Sequence, residues 1–385
     1  MNKLFLIAVL FLSGVLGFYF MSLKLECDQK ELKNALDLNL TGPYKVGTIV
    51  HQVIDKDRHD PFFASEPREL KVRFWYPAIH DEAYPLESYY DEAIAAVQTF
   101  NHFMGVERES VSDLRSIKIP VQKKAQPVRQ KFPVIFLLHG YLASAPEMYS
   151  LFAHELVSHG YIVVGISHTH FANKVVISGN RTVTFNKDKQ SSFLSDYYKY
   201  EDQELWISDV DSVVSEIEKM QDDSESFLHG LFDMDRVGVM GHSFGGVVAL
   251  MLAAKKNLFR ACVSLDGVAL GDVIPSKSSK IYFAQTSVET FYLPSSDEEL
   301  SAQLNCPLAF IADARREALI AIRTLNSEVI SGLGHNGFTD LLLLKDSPIY
   351  FKNQATAAMI GAVNGKIALQ AINQGITDFF KANLK

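Results

Sequence analysis

The sequence predicts an α/β protein with a mostly parallel central sheet and helices on both faces. Two apolar runs, Phe132–Leu138 and Tyr161–Ile166, have the continuous character of strands buried on both faces. Leu205–Met220 has the apolar period of a helix and lies between such runs. A glycine-rich turn joins a further apolar run, Val237–Met240, to a stretch of small and apolar residues that suits a buried helix. Strands that alternate with helices form right-handed βαβ units, and their strands are therefore parallel.

The elements before the first buried strand are less regular. Thr48–Ile54 follows a Gly-Pro turn and is predicted as the first strand. Asp55–Glu69 is rich in Asp, Pro and charge, which predicts a loop. Leu70–Tyr76 alternates and stops at a proline, which predicts a half-exposed antiparallel strand. Glu92–Met104 is predicted as a helix within a poorly patterned segment.

The later elements complete the alternation. A helix at Pro146–Ser158 should stop at the following glycine, and Phe171–Asp196 is polar and loop-like, with a hairpin turn at Gly179-Asn180. The other predicted elements are helix Gly246–Ala254, strands Phe259–Leu265, Lys280–Gln285 and Ser327–Ile330, and an amphipathic C-terminal helix at Lys366–Ala382.

The turn at Gly241–Gly245 reads G-H-S-F-G and matches G-x-S-x-G between a strand and a helix. In that context the motif is a nucleophile elbow, which presents a serine at the top of a sheet. The turn is strained, so small neighbours are needed, and the two glycines of the motif supply them. The motif therefore predicts Ser243 as a nucleophile, with His242 turned away to pack or to form hydrogen bonds.

Serine needs a base, and the base needs an orienting acid. The element order is that of the α/β-hydrolase fold, in which the acid and then the histidine follow the serine along the chain. His335 is the only histidine after Ser243 and lies in a glycine-rich loop after the last strand. Asp266 directly follows a strand and is the predicted acid, while Glu289 and Asp272 remain alternatives.

An oxyanion hole requires two N–H donors. The backbone of Phe244, directly after the nucleophile, should give one of them. The other should come from the turn after the His139-Gly140 pair, and Tyr141 is the predicted donor.

Composition excludes some classes of function. The chain has 385 residues, of which 48% are hydrophobic and 21% charged, which is ordinary for a globular protein. Its net charge of −8 does not favour binding to nucleic acid. The three cysteines, Cys27, Cys262 and Cys306, show no C-x-x-C spacing, and no acidic cluster has metal-loop spacing. We therefore expect core thiols at the last two and no metal or other cofactor.

The N-terminus carries Leu4–Leu23, an uncharged run of 20 residues that is long enough to span a bilayer as a helix. The interpretation favoured here is an uncleaved membrane anchor, because no A-x-A site appears. A cleaved signal with an apolar core at Leu4–Val15 and a cut after Gly17 is the alternative. Residues 1–25 are thus predicted as anchor or signal, 26–40 as a tether, and 41–385 as one catalytic domain that is exported.

Several stretches, taken in order, resemble the plasma and type II platelet-activating-factor acetylhydrolases, also called lipoprotein-associated phospholipases. They are G-P-Y-K-V-G at Gly42, R-F-W-Y-P at Arg73, F-P-V-I-F-L-L-H-G at Phe132, S-H-G-Y-I-V-V at Ser158, R-V-G-V-M-G-H-S-F-G-G at Arg236, V-S-L-D-G at Val263 and G-H-N-G-F-T-D at Gly334.

The resemblance implies metal-independent hydrolysis of a short or oxidised acyl chain at the sn-2 position of a phospholipid. It also implies a triad of Ser243, Asp266 and His335, with oxyanion N–H groups from Tyr141 and Phe244. Two alternatives remain: a carboxylesterase, lipase or polyester-type hydrolase of the same fold, and an inactive membrane-anchored binding protein.

Overall fold

The computed structural model describes residues 39–103, 112–141, 144–185, 200–267, 280–286, 326–330, 332–344 and 359–385. Twelve strands lie within them: β1 Lys45–His59, β2 Pro67–Ala78, β3 Leu86–Ser88, β4 Lys118–Lys123, β5 Phe132–Leu138, β6 Ile162–Ser167, β7 Lys174–Ile177, β8 Arg181–Thr184, β9 Phe232–His242, β10 Phe259–Leu265, β11 Lys280–Thr286 and β12 Asn326–Ile330.

Ten of these strands form one sheet in the order β12-β11-β10-β9-β5-β6-β2-β1-β4-β3. The six strands from β12 to β6 are parallel to one another. β2 is antiparallel to both β6 and β1, so the direction changes at one side of the sheet. β7 and β8 form a separate hairpin. The carboxyl ends of β5, β9, β10 and β12 therefore share one edge, where the site residues follow them.

Six α-helices are described: α1 Asp91–Phe103, α2 Ser150–Ser158, α3 Tyr200–Asp222, α4 Phe244–Lys255, α5 Leu341–Leu344 and α6 Gly365–Asn383. They cover both faces of the sheet, because α1, α2, α5 and α6 contribute to one apolar core while α3 and α4 contribute to the other. The side chains of β5 alternate between the two cores. The predicted burial of this strand on both faces is therefore confirmed.

The predicted loop at Asp55–Glu69 is wrong for most of its length. β1 continues to His59, and β2 already begins at Pro67. Two charged side chains of this extension contact α3: Arg58 Nη2 lies 2.9 Å from Asp209 Oδ1, and Asp55 Oδ2 accepts a hydrogen bond from Ser212 Oγ. Polar residues indicated a loop only because these distant partners are not visible in the local sequence.

The antiparallel direction of β2 is confirmed, but its predicted half-exposure is wrong. β2 lies between β1 and β6 and is buried along most of its length. Its two central cations share one carboxylate, since Lys71 Nζ and Arg73 Nε each lie 3.0 Å from Glu147 Oε1. Burial of a charged side chain is costly unless the charge is paired in this way. The pairing explains why β2, whose sequence alternates between apolar and charged residues, can lie inside the sheet.

The predicted N-terminal anchor or signal and nearly all of the tether lie outside the described residues, as do Cys27 and Cys306. Among the residues that the structure does describe, no helix combines the length and the apolar character needed to cross a bilayer. Cys262 is a buried free thiol, and burial raises the pKa of that thiol.

Candidate active site

Ser243 occupies a strained turn between β9 and α4. Its backbone has φ 54° and ψ −121°, a left-handed conformation that residues other than glycine rarely adopt. The turn is tied to the next strand, because Ser243 N donates to Leu265 O at 2.9 Å. A Cβ on Gly241 would lie 2.1 Å from Gly245 O, so the motif glycine is required by the close approach of strand and helix. The backbone thus holds this serine at the carboxyl edge of the sheet.

Asp266 and His335 meet at the same edge. Asp266 directly follows β10, and His335 opens a 3-10 turn beyond β12. His335 Nδ1 lies 2.5 Å from Asp266 Oδ2, and both side chains are largely buried. An aspartate at Nδ1 fixes the imidazole orientation and leaves Nε2 as the basic nitrogen. Of the two alternatives to this carboxylate, Glu289 and Asp272, neither lies within the described residues.

The loop that carries His335 is fastened by backbone contacts to the segment before α6. Gly334 N donates to Ile360 O at 2.9 Å, and Ala362 N donates to Gly332 O at the same distance. Gly361 has φ 98°, and a Cβ there would lie 2.2 Å from Gly332 O. The close crossing of the two segments therefore requires glycine and limits movement of the histidine loop.

The turn after β5 lies against the elbow. A Cβ built on Gly140 would lie 3.6 Å from the Cβ of Ser243, so the two turns are in van der Waals proximity. The rings of Tyr141 and Phe244 meet edge to face with centroids 5.2 Å apart. The two residues that the sequence indicates as oxyanion donors are thus neighbours in space.

A buried ionic network supports this turn from behind. His139 Nε2 lies 3.3 Å from the backbone N of His168, whose Nδ1 lies 3.0 Å from Asp209 Oδ2. Arg68 is fully buried and reaches the same carboxylate at 2.7 Å. Burial is the largest single effect and opposes ionisation of Asp209, but Arg68 and His168 together outweigh it and lower the pKa of this carboxyl. The sequence did not indicate this network, because its members lie in four separate segments.

His242 is buried and forms hydrogen bonds with both ring nitrogens, to the hydroxyl of Tyr149 and to the backbone carbonyl of His335. Within the described residues, no group of three or more His, Cys, Asp and Glu side chains is arranged to hold a metal ion.

A second carboxylate near the histidine, Asp340, was missed by the sequence interpretation. Its side chain accepts hydrogen bonds from Ser150 Oγ at 2.6 Å, Tyr89 Oη at 3.0 Å and Leu151 N at 3.2 Å. No ion pair between described residues includes it. Burial raises the pKa of Asp340 to about 7, although the bonds from Ser150 and Leu151 act in the opposite direction. Asp340 therefore fastens the histidine loop to the start of α2.

Asp340→Asn should reduce the dependence of stability on pH. An aspartate in the unfolded chain releases its proton near pH 4, whereas the folded protein holds this one up to about pH 7. Between these values the folded state binds more protons, so the wild type should lose stability as pH rises, by about 2–4 kcal/mol in all. Asparagine does not titrate, so that loss should be absent.

Urea unfolding of both proteins at pH 5 and pH 8 measures this difference. Asp378→Asn is the matched control, because Asp378 lies on the exposed face of α6. The control should keep the wild-type difference between the two pH values. An Asp340→Asn variant with the same difference as wild type would show that this carboxyl does not titrate as described.

Two sequence models of protein families match the chain. The model described as platelet-activating factor acetylhydrolase, isoform II, matches residues 32–219, and that of the prolyl oligopeptidase family matches residues 225–304. Platelet-activating factor acetylhydrolase of Cavia porcellus is 23% identical over 291 residues, which are 70% of this chain and 62% of the relative. The chain is similar to the platelet-activating factor acetylhydrolases. The predicted resemblance is thereby confirmed, at low identity.

Other relatives of this family give the same result. The enzyme of Canis lupus familiaris is 24% identical over 66% of this chain and 58% of its own length. A probable 1-alkyl-2-acetylglycerophosphocholine esterase of Arthroderma benhamiae is 23% identical over 61% of this chain and 59% of its own length. The alignments thus span less than two thirds of the curated relatives.

The solved structure of a ferulic acid esterase from Streptomyces cinnamoneus is similar, with a TM-score of 0.64. It is 20% identical and covers 90% of this chain and 92% of its own. At this identity the likeness concerns the fold alone. Together with the parallel sheet and the strand–turn–helix at Ser243, it confirms the predicted α/β-hydrolase fold.

Proposed function

We propose that this protein is a serine ester hydrolase that works through an acyl-enzyme. Ser243 is the nucleophile, His335 the general base and Asp266 the acid that orients the base. The observation that carries the proposal is the 2.5 Å hydrogen bond from His335 Nδ1 to Asp266 Oδ2 beside the strained serine turn. The proposal is further supported by the topology, because the loops that carry the three residues follow the carboxyl ends of strands in one parallel sheet.

In the acylation half-reaction, Ser243 Oγ attacks the ester carbonyl carbon and its proton passes to Nε2 of His335. The carbonyl oxygen becomes an oxyanion, and the tetrahedral intermediate collapses when the imidazolium protonates the leaving alkoxide. Asp266 stabilises the imidazolium without taking its proton. Water then attacks the acyl-enzyme while His335 accepts the water proton. The bond from the acyl carbon to Ser243 Oγ breaks, His335 returns the proton to that oxygen, and the free acid is released.

The oxyanion is held by backbone N–H groups of Tyr141 and Phe244. The proximity of these two residues supports a shared hole, because their side chains are in edge-to-face contact. Phe244 is also the first residue of α4, and the positive end of a helix dipole favours negative charge there. Loss of one such donor typically costs about 3 kcal/mol of transition-state stabilisation.

The substrate class follows from the family and is part of the proposal. The ester is the sn-2 ester of a phospholipid with a short or oxidised acyl chain. Hydrolysis of p-nitrophenyl esters from acetate to palmitate, measured beside hydrolysis of a phosphatidylcholine with an sn-2 acetyl group, tests it. We expect kcat/KM to fall steeply with acyl length and to be high for the short-chain phospholipid.

Two other outcomes would contradict parts of this proposal. High activity on soluble short esters with none on the phospholipid would favour a general carboxylesterase. No hydrolysis of any ester would favour an inactive binding protein on a hydrolase scaffold.

Location is a separate part of the proposal. The uncharged run Leu4–Leu23 motivates export of the catalytic part, with the run retained as an anchor or removed as a signal. N-terminal sequencing of the mature protein distinguishes these forms. A start at Phe18 identifies a cleaved signal, an intact N-terminus in the membrane fraction identifies an anchor, and an intact cytoplasmic protein would overturn the proposed export.

A further inference from the structure

A chain of buried hydrogen bonds runs from the turn after β5 to the backbone of His335. Gly140 N donates to Tyr149 Oη at 2.9 Å, and Tyr149 Oη lies 2.9 Å from His242 Nδ1. His242 Nε2 lies 3.0 Å from the carbonyl oxygen of His335. The chain therefore connects the two loops that flank Ser243, and it passes through the residue next to that serine.

The direction of each bond follows from the groups that take part. The carbonyl of His335 can only accept, so the proton of His242 must be on Nε2. Burial lowers the pKa of His242 to about 3, so the ring is neutral and Nδ1 is an acceptor. Tyr149 Oη–H then donates to Nδ1, and its oxygen accepts from Gly140 N and from Ser144 Oγ, 3.1 Å away. Each N–H and O–H hydrogen in the chain therefore has its own acceptor.

Packing restricts the same residues. The rings of His242 and His335 lie with centroids 4.5 Å apart at 40°. A Cβ on Gly140 would lie 3.2 Å from both His242 Nδ1 and Tyr149 Oη, so the turn has little freedom to shift against this pair. Since His242 is the last residue of β9, the chain is anchored to the central sheet.

We propose that His242, with Tyr149, is a positioning residue that fixes the backbone of His335 relative to the oxyanion turn. This inference rests on the proposed function, because it assigns the spacing between a general base and an oxyanion hole. The neutral imidazole of His242 holds the two loops at a fixed distance, because it accepts a hydrogen bond from Tyr149 and donates one to the carbonyl of His335. Loss of the donor lets the histidine loop shift, and small shifts of a catalytic group can cost about 100-fold in rate.

Four single variants and one double variant test the proposal. His242→Phe keeps a ring but removes both hydrogen bonds, His242→Gln keeps an amide donor for the His335 carbonyl, and Tyr149→Phe removes one hydroxyl. His154→Phe is the matched control, because His154 is equally buried and also bonds a tyrosine, Tyr90, at 3.0 Å. Thermal unfolding, kcat and KM for p-nitrophenyl acetate are measured for each.

We expect His242→Phe to lower kcat by about 10- to 100-fold with little change in KM. His242→Gln should recover most of that loss, and Tyr149→Phe should lie between the two. Adding Tyr149→Phe to His242→Phe should cost little more, since both act through one chain. His154→Phe should lower the unfolding temperature by a similar amount while keeping the wild-type kcat.

The proposal is overturned if His242→Phe keeps wild-type kcat, or if His154→Phe loses as much kcat as His242→Phe. If His242→Phe does not fold, the other two variants provide the test. A wild-type kcat in Tyr149→Phe overturns the proposal. A kcat of His242→Gln that is lower than that of Tyr149→Phe also overturns it. Failure of the proposed function is distinguished by wild-type protein that neither hydrolyses esters nor reacts at Ser243 with a fluorophosphonate probe.

Discussion

Ser243→Ala should abolish ester hydrolysis and fluorophosphonate labelling while leaving the protein folded. Loss of the nucleophile in a serine hydrolase lowers kcat by about 10⁶, which corresponds to roughly 8 kcal/mol of transition-state stabilisation. Alanine lacks the Oγ that forms the acyl-enzyme but meets the same backbone strain at φ 54°. The fold should therefore tolerate the change, and an intact mass with no probe adduct is the expected result.

Two further variants make the experiment specific. Ser208→Ala is a matched serine control, because the Ser208 hydroxyl donates to a backbone carbonyl of its own helix, Glu204 O at 2.9 Å. It should label as wild type. Ser243→Gly should be as inactive as Ser243→Ala but more stable, since glycine relieves a strain of about 1–3 kcal/mol. Full labelling of either variant at position 243 would place the nucleophile elsewhere.

Asp266→Asn should lower kcat by about 10⁴, or roughly 5 kcal/mol, as in other serine triads. Asparagine can present its NH₂ group to His335 Nδ1, which places the remaining proton on Nε2, and that tautomer cannot accept the proton of Ser243. Asp266 has φ 51°, a left-handed conformation that asparagine tolerates well. The loss should therefore appear in kcat with little change in the unfolding temperature.

Glu289→Gln is the comparison for Asp266→Asn, and it should be nearly silent. Asp266→Ala is less informative, because alanine does not favour a positive φ and the variant would mix backbone strain with the loss of the acid. Normal turnover in Asp266→Asn together with a large loss of kcat in Glu289→Gln would identify Glu289, which follows β11 in the chain, as the acid.

The fold was predictable where a short stretch determines its own environment. The bounds of β5 and β10 match the prediction, because each is an apolar run between turn residues. The strand extension at Asp55–His59 was not predictable, since its charges indicate a loop unless the partners on α3 are known. The same limitation explains the predicted half-exposure of β2, whose buried cations bond to a distant glutamate.

The candidate site shows the same division. The motif and the chain order indicated Ser243 and His335 without any knowledge of contacts. Asp340 ends the G-H-N-G-F-T-D stretch, but its role was not predictable, because it depends on Tyr89 and Ser150, which are distant in the sequence. His242 was expected to pack or to form hydrogen bonds, but the sequence does not show that its bond goes to the backbone of His335.

The anchoring of Asp340 also affects when activity can arise during synthesis. A ribosome releases the chain from its N-terminus, so β5, the elbow and Asp266 emerge before His335. The bond between Tyr89 and Asp340 joins residues 251 positions apart, and the histidine loop further depends on contacts of residues 360–362. A nascent or truncated chain therefore contains the serine without a positioned base. In the proposed enzyme, hydrolysis of lipid esters would begin only after residues 360–362 have left the ribosome and packed against the histidine loop.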